Sequence, residues 1–105
     1  MAKNVVGNPW VFDAANQNEG VANAAESTPP VFNVAPIYVK HFVVYGGATG
    51  GTVKIDNDTV PTRSIVPATE IAADAETVIP IESYVDGVYI TTLDSGLTVY
   101  CHHGQ

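Results

Sequence analysis

Leu93-Asp94-Ser95-Gly96-Leu97 sets one carboxylate between apolar residues and a small, flexible pair. Two such carboxylates, one from each of two chains, can share a proton and activate a water molecule for hydrolysis. Cys101-His102-His103 puts a thiol and two imidazoles side by side, the donor types that hold zinc. Asp56-Asn57-Asp58 offers oxygen donors spaced like the opening of a calcium loop. Gly46-Gly47-Ala48-Thr49-Gly50-Gly51 has the glycine content of a phosphate cradle.

Each chemistry needs surroundings that the chain does not supply. In aspartic proteases of the retroviral type, the Asp-Ser-Gly motif is followed by a flap and a second apolar-Gly element; here nine residues follow Gly96. A three-residue loop, with Gly where a left-handed backbone is wanted, accounts for the same residues. Asp94 is therefore read as a bend. Adjacent strand residues point to opposite faces, so Cys101 and His103 share a side and His102 leaves it. Structural zinc takes four ligands in paired spacings, and the reading is a buried Cys101 followed by a tail, with no metal. Asp56-Asn57-Asp58 lacks the later Gly and Glu of a calcium loop, and Asn and Asp are good turn formers. The glycine run lacks the Lys-Ser/Thr of a phosphate loop. No catalytic residue and no cofactor is assigned, and the expectation is a protein that is not an enzyme.

Composition narrows the class. Within 105 residues there are sixteen Val, seven Ile and ten Thr against two Leu. Such β-branched residues fit a pleated surface, while straight-chain helix formers are scarce. The fold class expected is all-β: a small antiparallel β-sandwich or partly open barrel of five to seven strands, in one domain. Eleven acids against four bases give a net charge of −7. With no basic cluster to neutralise phosphates, neither a nucleic-acid nor a membrane-surface partner is expected. A single cysteine rules out an intramolecular disulfide framework. The opening residues contain no long apolar run, so no signal peptide is read and synthesis in a cytoplasm is expected.

Residues 1–35 differ from the rest. Apart from Pro9-Trp10-Val11-Phe12, they are rich in Asn, Ala and Glu, and Pro29-Pro30 would stop a helix. They read as an extended N-terminal arm attached to a sandwich domain at 36–105. Trp10 and Phe12, two apart and on one side of an extended chain, are its candidate interface anchors. From Pro36 onward, Ile37-Tyr38-Val39-Lys40-His41-Phe42-Val43-Val44-Tyr45 is a long strand, apolar on both faces. Simple alternation puts Ile37, Val39, Val43 and Tyr45 on one side and Tyr38, Phe42 and Val44 on the other. An antiparallel sheet with one wet face should not read this way, so Tyr38, Phe42 and Val44 are assigned to a covered or interface face. Residues 46–51 form a turn and 52–56 a second strand. A strand limited by Pro61 and Pro67 is placed at an edge, residues 68–76 read as a turn or loop, and 76–84 form a strand bent at Pro80. Val88–Leu93 and Leu97–Cys101 close the chain as a hairpin about Asp94-Ser95-Gly96. Tyr38, Tyr45, Tyr84, Tyr89 and Tyr100 supply rings with polar tips, which suit interfaces.

Three pieces in this order resemble a group of small proteins encoded in the structural-gene modules of tailed bacteriophages. They are Gly7-Asn8-Pro9-Trp10-Val11-Phe12-Asp13-Ala14-Ala15, then Ile37-Tyr38-Val39-Lys40 through Gly50-Gly51-Thr52-Val53-Lys54-Ile55-Asp56, and last Gly87-Val88-Tyr89-Ile90-Thr91-Thr92-Leu93-Asp94-Ser95-Gly96. The chain differs from that group in having Trp10 as its single tryptophan. The resemblance implies a virion-associated structural part and transfers no catalytic residue. The expectation is a capsid decoration or cement protein that forms a homo-oligomer, stabilises the shell and binds the major capsid protein or other virion proteins. Its place would then be the virion, after synthesis in the host cytoplasm. The alternative is a carbohydrate- or receptor-binding β-sandwich of a phage tail or neck, using tyrosines and an exposed Asp56-Asn57-Asp58 turn.

Overall fold

The computed structural model describes residues 8–19, 37–57, 64–85 and 87–104. Residues 1–7 and 20–35 of the expected arm, and Asp58 of the acidic turn, lie outside them. Among the described residues there are eight strands and no helix: β1 (Trp10–Phe12), β2 (Asn18–Glu19), β3 (Ile37–Tyr45), β4 (Gly51–Asp56), β5 (Ser64–Ile71), β6 (Glu76–Val85), β7 (Val88–Leu93) and β8 (Thr98–His103). They form two four-stranded antiparallel sheets, ordered β1-β8-β3-β6 and β2-β7-β4-β5. The expected β-sandwich is present, with six strands from Ile37 onward. β1 and β2, which belong to the segment read as an arm, are edge strands, one in each sheet.

The core lies between the sheets. Phe12, Val39, Phe42, Val44, Val99 and Cys101 face it from the first sheet, and Val53, Ile55, Val66, Val88 and Ile90 from the second. The Val and Ile side chains among them, β-branched, fill a pleated interior with little rotamer freedom to lose.

β3 does not keep simple alternation. Its register against β6 and β8 shifts between Val39 and His41. A bulge adds one residue to a strand and resets which face the following side chains take. Val39, Phe42 and Val44 therefore point inward and are fully buried. His41, Val43 and Tyr45 are turned outward, the same side as Tyr38. The expected pairing of Tyr38 with Phe42 and Val44 on one face is corrected: Phe42 and Val44 lie under the second sheet, and Tyr38 lies on the opposite surface.

The closing turn is corrected too. Leu97 N–H donates to the Asp94 carbonyl at 3.1 Å and Gly96 has φ 93°, so the chain reverses there. Yet β7 and β8 belong to different sheets. The reversal crosses the sandwich from layer to layer and is not a hydrogen-bonded hairpin. The glycine turn 46–50 also joins the sheets, packing on the turn before β6. A Cβ on Gly46 would lie 1.9 Å from the Ala72 carbonyl oxygen, so only glycine fits there. β5 sits at a sheet edge as expected, with Pro67 in it, but the strand continues to Ile71, through residues read as a turn or loop.

Candidate interaction face

Trp10 and Phe12 alternate with Val11, and β1 lies against β8 with Trp10 opposite Cys101 and Phe12 opposite Val99. Both rings thus turn toward the sandwich interior. Phe12 is fully buried, and Trp10 packs at the core margin with its ring centroid 4.1 Å from that of His103. Asn8 Nδ2 donates to the His103 carbonyl at 2.7 Å, and His103 N–H donates to Asn8 Oδ1 at 3.2 Å. The Asn8-Pro9-Trp10-Val11-Phe12 stretch thereby fastens the first strand to the last one within a single chain. These two rings anchor β1 to its own sandwich.

The remaining candidate residues separate onto two unlike surfaces. On the outward side of the β2-β7-β4-β5 sheet, polar groups satisfy one another. Thr52 Oγ1 donates to Glu70 Oε1 at 2.9 Å. Lys54 Nζ donates to both Asp56 carboxylate oxygens at 2.8 and 2.7 Å. Thr91 Oγ1 also donates to Asp56, and the Tyr89 hydroxyl donates to Asn16 Oδ1 at 2.7 Å. This is the chemistry of a sheet face that meets water. Asp94 belongs to this bonding: its Oδ2 accepts the Thr52 backbone N–H at 2.8 Å.

Asp56 and Asn57 are not the exposed turn that a glycan- or calcium-binding reading requires. Asp56 is fully buried and Asn57 is 5 % exposed. Burial pushes the Asp56 carboxyl up, but hydrogen bonds from Lys54, Thr91 and Ser64, with the Lys54 charge, leave it below the ordinary carboxylate range. No group of three or more metal-ligating side chains occurs among the described residues. Cys101 and His103 do share a face and His102 does leave it, as alternation requires. Cys101 is fully buried, and burial pushes its thiol up to about 12. Thiolate is the reactive form, so native protein is expected to resist disulfide-exchange reagents and to react fully once unfolded. A fast reaction in the native state, followed by absorbance of the released thiol, would mean that the β8 core face is open.

The outward side of the β1-β8-β3-β6 sheet is built differently. Cross-strand register lines up Val11, Tyr100, Val43 and Val78 across all four strands. The neighbouring row carries His102, His41 and Pro80. The two imidazoles stack with centroids 4.5 Å apart and planes 25° apart. Burial, then the charges of His41, Lys40 and His103, hold His102 below its ordinary value. Beyond the bulge, Tyr38 and Tyr84 meet edge-on at 5.1 Å. Tyr38, Lys40, His41, Val78, Pro80 and Glu82 line an open groove of about 510 Å³ on this side. Tyr45 is 39 % exposed, Tyr84 53 % and Val78 61 %. They are the exposed large apolar residues among the described ones, and all three lie on this one sheet.

β3 is apolar on both sides as the sequence reads, but Tyr38 lies on the surface while Phe42 and Val44 are covered by the second sheet, because the bulge that separates them is silent in composition. His41, Val43, Val78 and His102 were not among the expected interface residues. Their meeting depends on the register of β3 with β6 and β8, which local spacing does not carry. No protein-family model matches the sequence. No curated protein and no solved structure matches it significantly either.

Proposed function

We propose that this chain is a structural protein of a bacteriophage virion, a capsid decoration or cement subunit that works by being packed against its neighbours. The observation that carries the reading is the contrast between the two sheet faces. One outward face is polar and internally hydrogen-bonded. The other is a band of Val, Tyr, His and Pro, including three large side chains left exposed. Apolar and aromatic side chains gathered on one sheet face in this way mark a candidate interaction surface. The resemblance to phage structural-module proteins points to the same reading; its motifs lie at β1 (Trp10–Phe12), at the inter-sheet turn and β4 (Gly51–Asp56), and at β7 with the turn after it. The partners are further copies of the chain and the major capsid protein or another virion component, and the acidic surface keeps the free subunit soluble.

The reading is tested on particles. Mass spectrometry of virions purified from the phage whose genome encodes the chain is expected to find it in many copies. Particles assembled without it are expected to release their DNA at a lower temperature. Absence of the chain from purified virions overturns the proposal.

A further inference from the structure

We infer that the outward face of the β1-β8-β3-β6 sheet is a self-association surface, and that its occupant is the same face of a second copy of this chain. The inference deepens the assembly reading above by naming one partner, and it rests on that reading only for its biological setting.

Three observations lead to it. The first is extent. Four strands about 4.8 Å apart, each running about seven residues at about 3.3 Å, give a face of roughly 450 Å² in flat projection. Two such faces pressed together remove about 900 Å² before side-chain relief is added, which brings the contact to the threshold of about 1,000 Å² for a specific interface. The second is composition. The inner strands β8 and β3 carry Val43, Tyr100 and the stacked His41–His102 pair, with Val78 beside Val43 on the outer strand β6, the aromatic and apolar content of an interface core.

The third is charge. The whole chain carries −7, so two copies repel unless they meet where acids are few. On this face the acids Glu76 and Glu82 are confined to the outer strand β6, while Lys40 lies on the inner strand β3. A face with both signs can be matched by a rotated copy of itself, whereas a partner of one sign would leave one set unmatched. Two-fold pairing of one patch with itself is also the commonest closed symmetry. Tyr45, Val78 and Tyr84 stand exposed on this face.

The test is solution mass by light scattering on the full chain over rising concentration. The wild type is expected to reach twice the 11.0 kDa chain mass. Val78→Glu puts a charge into the apolar row at a side chain already 61 % exposed, so the fold survives, which circular dichroism checks. This variant is expected to return to the mass of a single chain. Ala68→Glu, an exposed position on β5 of the other sheet, is expected to keep the wild-type mass. A wild type that stays at one chain throughout overturns the inference, and so does an oligomer whose mass Val78→Glu leaves unchanged. A single chain in solution that is nevertheless present in purified virions would overturn this surface alone. A dimer absent from virions would overturn the virion reading alone.

Discussion

Phe42→Ala is expected to lower stability by about 3–5 kcal/mol, the usual cost of emptying a buried aromatic site. Set against about 5–15 kcal/mol for a whole domain, that leaves the variant with a sharply lower denaturant midpoint. Val43→Ala, one residue along the same strand, removes a side chain on the outward sheet face and is expected to cost about 1 kcal/mol or less. The contrast is a test of the bulge. With unbroken alternation from Val39, Val43 would be the core residue and Phe42 would face out. Both variants are read by urea unfolding. If Val43→Ala proves the more damaging, the β3 register described here is wrong. So too, in that event, is the assignment of His41 and Val43 to the interaction face.

The same strand shows how much of this molecule was legible in its sequence. The abundance of Val, Ile and Thr announced an all-β chain, and the runs read as strands at 37–45, 52–56 and 76–84 lie in β3, β4 and β6. Proline at 67 placed β5 at an edge, because a residue without an N–H is poorly suited to a central ladder. The two-sided apolarity of β3 is present in the structure: its inward side is buried in the core, and its outward side carries His41, Val43 and Tyr45. The residues after Lys40 were put on the wrong sides relative to Val39, since the bulge there inserts one residue and has no compositional mark. Asp94-Ser95-Gly96 likewise announced a reversal, and the reversal is there. Turn chemistry reports that the chain turns; it does not report whether the strands on either side bond to each other or to different sheets. Trp10 and Phe12 were recognised as anchors, but what they anchor to is set by the pairing of β1 with β8 across nearly the whole chain. The His41–His102 stack depends on long-range register of the same kind.

Lys54→Met is expected to cost about 3 kcal/mol near neutral pH, because it strips the cation from a carboxylate that water does not reach. Asp56 is fully buried, while the Lys54 side chain is 31 % exposed, which puts the cost at the low end of the range for breaking a buried pair. The Thr91 hydroxyl remains on the carboxylate and softens the loss without neutralising the charge. The double variant Lys54→Met/Asp56→Leu removes charge and counter-charge together and is expected to recover much of the difference, since two apolar groups leave no unpaired ion. Acid separates this account from simple packing. In the wild type the Asp56 carboxyl lies below its ordinary 3.8. Its stabilising contribution is therefore complete above that ordinary value and is lost as pH falls through the lowered folded value. In Lys54→Met, burial acts on the carboxyl without the lysine, raising its folded value, so protonation at mildly acidic pH relieves the variant. The stability gap between wild type and Lys54→Met, measured by urea unfolding at successive pH values, should narrow as the solution is acidified. A gap that stays constant down to pH about 3 would mean that the cost is lost lysine packing, and that Asp56 does not depend on Lys54 to remain charged.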